Sequence, residues 1–94
     1  MTESVTWYQD NNMKKIERTQ TGVRLERRML KVLKGTAEYL DISLAELIEC
    51  MALHAFDGKT IFKDRTLEKI QQLRVVYDLD LTSADSHQLH EEFS

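Results

Sequence analysis

The chain has 94 residues, a net charge of −3 and 41% apolar side chains, which describes one small domain with room for a modest core. A core of this size often needs a staple or a partner chain, and the single cysteine, Cys50, excludes an intrachain disulfide and points to a reducing compartment. No apolar run is long enough to cross a membrane, and Met1–Lys15 has no apolar stretch, so neither a membrane-spanning helix nor a secretory leader is expected.

In chain order, residues 1–17 read as a flexible N-terminal arm, with Trp7 and Tyr8 as its candidates for docking. Residues 19–25 read as a short strand. Thr21, Val23 and Leu25 fall on one face at period two, and Gln20, Gly22 and Arg24 on the other. From Arg27 the period changes to that of a helix, with Met29, Leu33, Thr36 or Ala37, and Leu40 on one stripe. Asp41 ends this helix, because a short polar side chain tolerates the left-handed position glycine usually takes. Ser43 and Glu46 form a capping box that opens a second helix, with Ile42 and Leu47 as its hydrophobic staple. That helix stops before Asp57-Gly58. Asp64 caps a third helix carrying Leu67, Ile70, Leu73 or Arg74, and Tyr77. Thr82 to Asp85 repeats the capping pattern with Asp for Glu and opens a short terminal helix through Leu89, after which the chain frays.

Charge is segregated along this order. Lys14–Lys34 holds eight basic residues and two acidic ones, a net +6. Residues 35–94 hold five basic and twelve acidic, a net −7. A basic block is the electrostatic footprint of a polyanion binder, while the acidic body opposes indiscriminate coating of nucleic acid.

A single strand in an otherwise helical chain has unsatisfied backbone donors and acceptors, and the simplest remedy is to pair it with the same strand of a second copy. The outward faces of two such strands, flanked by Arg18, Arg27 and Arg28, make a basic ribbon of the width of the DNA major groove. The stretches Gly22-Val23-Arg24-Leu25-Glu26-Arg27-Arg28-Met29-Leu30 and Ala37-Glu38-Tyr39-Leu40-Asp41-Ile42-Ser43-Leu44-Ala45-Glu46-Leu47-Ile48 resemble the ribbon-helix-helix family of bacterial regulators, the Arc/MetJ/CopG type. The resemblance covers about residues 18–56. It implies a mainly α fold with one N-terminal strand paired across a homodimer, extended by a C-terminal helical part over residues 57–94 that belongs to the same small domain. It further implies base contacts from Gln20, Gly22 and Arg24, and phosphate contacts from Arg18, Arg27, Arg28 and the backbone amides of Ser43, Leu44 and Ala45. Gln suits adenine and Arg suits guanine by donor–acceptor geometry. The chain departs from the family at Gly22, which has no side chain for readout, at Thr21, which stands where a larger apolar residue is usual, and at Asp41, which stands where Gly is usual.

No catalytic motif is present: no glycine-rich phosphate loop, no His-Glu-x-x-His, no Cys-x-x-Cys and no serine elbow. An enzyme is not expected, nor a cofactor. Cys50 and His54, four apart, and His87 and His90, three apart beside Glu91, have ligand spacing, but two ligands do not close a zinc site. The expectation is therefore a cytoplasmic, nucleoid-associated homodimer that binds DNA as a transcriptional regulator, a repressor by type. The alternatives are an antitoxin-like or adaptor dimer that binds a protein through its acidic C-terminal helices, and a dimerisation module that binds no nucleic acid.

Overall fold

The computed structural model describes residues 14–91 and contains three α-helices: α1, Arg27–Leu40; α2, Leu44–Phe56; and α3, Asp64–Val76. A single 3-10 turn, Ser83–Asp85, follows. The first thirteen residues of the arm, with Trp7 and Tyr8, and the last three residues lie outside the described part.

The expected strand is not formed. Residues 14–26 have no regular structure and all but Glu26 are exposed, so the described chain is all-helical. This overturns the ribbon-helix-helix fold with its strand paired across a homodimer. The period-two pattern of Thr21, Val23 and Leu25 is real, but a β-propensity expresses packing against a neighbouring strand, and the described residues supply none. Gly22 adds backbone freedom, and nothing lies within 4 Å of where its side chain would start.

The helices form where local chemistry sets them. The Glu26 carboxylate accepts from the Met29 amide at 2.8 Å and caps α1. Asp41 ends α1 in the left-handed region, φ 61° and ψ 41°, and the Ile42 amide donates back to the Ala37 carbonyl at 3.0 Å, the closing bond of a Schellman turn. Ser43 opens α2 through the expected box: its hydroxyl accepts from the Glu46 amide at 3.0 Å, and the Glu46 carboxylate accepts from the Ser43 amide at 3.0 Å. Gly58, at φ 68°, ends α2. Asp64 is the first residue of α3 rather than its cap, and no side chain caps that helix. Asp78, at φ 55°, turns the chain after α3 as Asp41 does after α1. The expected terminal helix shrinks to one turn. Thr82 and Asp85 do form a capping box, but His87 at φ 72° leaves the helical region two residues later.

α1 is the central element. It packs on α2 and on α3, whose backbones make no close approach to each other, so the fold is an open three-helix arrangement. Gly35 makes the α1–α3 approach close: a β-carbon there would meet the Leu73 methyls at 3.0 and 3.1 Å. Lys31 lies 5.6 Å from the Tyr77 ring and Lys69 lies 5.7 Å from the Tyr39 ring, two cation–π contacts that also bridge α1 to the α3 region.

The core is small. Its buried apolar side chains are Val32, Ala37 and Leu47, and Leu47 is the one large side chain fully excluded from water among the described residues. Thr36 is buried beside them and donates its hydroxyl to the Val32 carbonyl at 2.8 Å. The stripe expected on α1 is therefore centred between Val32 and Thr36, with Met29, Leu33 and Leu40 half-buried at its margins. The radius of gyration is 16.0 Å, against about 12 Å for a compact domain of this length.

Glu26 gives this fold an acid-sensitive element. Partial burial pushes its carboxyl up, but hydrogen bonds from the Met29 amide and from Arg28 outweigh that and hold it below its ordinary value. A carboxyl lowered by folding contributes stability that is complete above its unfolded pKa and disappears as pH falls through the folded value. Acid titration of stability by circular dichroism should show this loss below the ordinary glutamate range, and Glu26→Gln should flatten that part of the profile. An unchanged profile in the variant would remove Glu26 as a contributor.

Candidate nucleic-acid interface

The residues expected to touch DNA lie in three places, the last of them the start of α2. Arg18, Gln20, Gly22 and Arg24 are on the exposed segment before α1, and Arg27 and Arg28 open α1 itself. Arginines in a first turn oppose the helix dipole; at α1 the capping Glu26 carboxylate offsets one of them through its bond from Arg28, and Arg27 leaves a net positive charge at the start of the helix. Lys14 and Lys15 extend this surface along the segment, and Lys31 and Lys34 extend it along α1.

Three of these cations meet carboxylates from distant parts of the chain. Arg18 forms a bidentate pair with Glu49 of α2, with Nε–Oε2 and Nη2–Oε1 both 2.9 Å. Arg24 forms a fork with Glu91, with Nε donating to Oε1 at 3.1 Å and Nη2 to Oε2. Arg28 donates to Glu26 Oε2 at 3.0 Å, to the Asp78 carbonyl at 2.9 Å and to Asp80 Oδ1 at 3.1 Å. Hydrogen bonding from Arg18 holds the Glu49 carboxyl below its ordinary value, against a smaller opposing effect of desolvation. Hydrogen bonding to Glu49 raises Arg18, and hydrogen bonding to Glu26 raises Arg28, so both stay charged at any accessible pH. The Arg24 and Glu91 side chains are 78% and 46% exposed, which makes their pair a weak surface interaction that a competing anion can open.

The start of α2 is a separate place. Its capping box spends the Ser43 amide on the Glu46 carboxylate, so an anion arriving there meets a resident negative charge. No side chain accepts from the Leu44 or Ala45 amide among the described residues. Of the expected phosphate contacts, the structure thus gathers Arg27 and Arg28 with the basic segment and sets Ser43, Leu44 and Ala45 on the next helix.

No family model, no curated protein and no solved structure matches this chain.

The acidic partners Glu49, Asp80 and Glu91 were not legible as such in the sequence. The signal that pointed toward them was the charge segregation itself, since a basic block and an acidic body on one small chain are bound to meet. Cys50 Sγ and His54 Nδ1 lie 3.6 Å apart, and the 2.8 Å contact from Nδ1 to the Cys50 carbonyl is a hydrogen bond that the ring N–H donates. Among the described residues no group of three or more His, Cys, Asp or Glu side chains is placed to hold a metal ion. No helix of the described residues is long and apolar enough to cross a membrane.

Proposed function

We propose that this protein is a homodimeric DNA-binding transcriptional regulator of the bacterial cytoplasm, associated with the nucleoid, and not an enzyme. Its DNA-facing surface is the basic stretch Lys14–Lys34, presented by an exposed segment and the first turns of α1 rather than by a paired ribbon. One observation carries this reading. A net +6 is concentrated on one contiguous stretch, its cations exposed except for the half-exposed Arg28, in a chain that is acidic elsewhere, and phosphate attraction is the general reason for such a concentration.

The exposed face of α2 supports the dimer. Leu44, Ile48, Met51, Ala52, Ala55 and Phe56 share one side of this helix, an arc of roughly 140° at 3.6 residues per turn. All are half-exposed or exposed, with Phe56 81% exposed, and no charged residue interrupts them. A helix apolar over so much of its circumference belongs in an interior. Only three apolar side chains are buried among the described residues, too few for such an interior, and a second copy would supply it. An uncharged face is also complementary to itself, which suits pairing about a two-fold axis.

Duplex DNA binding followed by fluorescence anisotropy across a salt series tests the reading. Affinity is expected to fall linearly on logarithmic axes, by close to one power of salt for each phosphate neutralised. Arg24→Ala is expected to cost about 1–3 kcal/mol on a preferred sequence if its guanidinium pairs with a base, and less than that on random sequence. Absence of binding at low salt would remove the regulator.

The second reading, an antitoxin-like or adaptor dimer that acts through residues 57–94, draws support from the same ion pairs, because Arg18, Arg24 and Arg28 already have carboxylate partners within the chain. A protein partner that stays bound after residues 1–26 are removed would favour it.

A further inference from the structure

The chain after α3 does not trail away from the body. Arg74 donates to the Leu81 carbonyl at 2.9 Å and holds the start of this segment down, and the Thr82–Asp85 capping box shapes its middle. From there the chain reaches back to the entry of α1. An open cleft of about 620 Å³ lies between the two, with Leu25 and Leu89 among its lining residues and Arg24 and Glu91 joined across it. Asp80, earlier on the same segment, reaches Arg28. Two carboxylates of one segment thus meet two arginines of the basic surface, across 67 and 52 residues of sequence.

Carboxylate and phosphate oxygens use the same guanidinium fork, so an arginine held bidentately by Glu91 cannot offer that edge to DNA at the same moment. We propose that residues 79–91 act as an internal competitor of DNA, in which Glu91 and Asp80 occupy Arg24 and Arg28 and must be displaced before those arginines take phosphate. The inference rests on the reading of Lys14–Lys34 as the DNA surface and names how that surface is restrained. The restraint is mild by construction. Both pairs are exposed, and exposed pairs are weak. A weak internal competitor suppresses loose binding to any phosphate backbone, and yields where a preferred site adds contacts of its own.

The test compares full-length chains. The double variant Asp80→Asn/Glu91→Gln is expected to bind a random-sequence duplex about 2–10-fold more tightly than the original at the same salt, on the scale of two surface ion pairs. Removing two negative charges anywhere raises affinity somewhat, so Glu38→Gln/Glu68→Gln serves as the charge-matched control. Those two exposed carboxylates form none of the ion pairs described above. A gain confined to the first variant supports the competitor. Equal gains in both variants, or no gain in the first while the original chain binds, overturn it and leave the DNA-binding reading standing. No binding by any of the three chains overturns that reading and the competitor with it.

Discussion

Leu47→Ala is expected to lower stability by about 2–5 kcal/mol, as full truncation of a buried leucine does, and on a fold with so small a core this is enough to unfold a large share of the molecules at ambient temperature. The reason is concentration of burial. Leu47 has no exposed surface, and it is the only buried residue of α2. Among the described residues Val32 and Ala37 of α1 are the other buried apolar side chains, and neither has the volume to fill the cavity left behind. Truncation also loosens the attachment of α2 to α1. Leu53 supplies the internal comparison. It lies on the same helix, has the same side chain and is 63% exposed, so Leu53→Ala should change stability by less than about 0.5 kcal/mol unless a partner covers it. Urea denaturation monitored by circular dichroism measures both. Equal shifts in the two midpoints would mean that α2 does not seat on α1 through Leu47.

Ile48→Asp is expected to separate the dimer while leaving the single chain folded. Ile48 is 42% exposed in one copy, so an aspartate there keeps contact with water and the helix tolerates it. In the dimer the same position sits on the apolar face, and two-fold symmetry brings in two uncompensated carboxylates at once. Burying an unpaired charge costs several kcal/mol, so the dimer dissociation constant should rise at least about a hundredfold. Sedimentation should change from dimer to monomer with an unaltered helical spectrum. DNA affinity should fall as well, because one copy brings half of the cations and so releases half of the counterions. A wild-type chain that sediments as a well-folded monomer at micromolar concentration would end the dimer proposal.

The elements that sequence reading recovered are those whose causes lie within a few residues. The Ser43–Glu46 box, the left-handed Asp41 and the stop at Asp57-Gly58 each depend on neighbours three to five positions away, and each stands in the structure near its expected place. The strand over 19–25 failed for the opposite reason. Its alternation of Thr21, Val23 and Leu25 states a preference, whereas a strand exists only by pairing, and the segment has no regular structure and no strand beside it among the described residues. The terminal helix failed at a smaller scale. Its cap formed, but a cap only starts a helix, and the residues after Asp85 have no apolar stripe docked to carry it on.

By itself, then, the sequence determined where α1 and α2 begin and end, that a third helix follows near Asp64, and how charge is distributed, because capping, propensity and composition act locally. Tertiary structure alone decided that α1 lies between α2 and α3, that Leu47 carries the burial of α2, and that Arg18, Arg24 and Arg28 face Glu49, Glu91 and Asp80. Those pairs join residues 31 to 67 positions apart. Coulomb attraction favours some such meeting of a basic and an acidic half, but which arginine meets which carboxylate is chosen by the turns at Asp41, Gly58 and Asp78 that bring the acidic half back over the basic one.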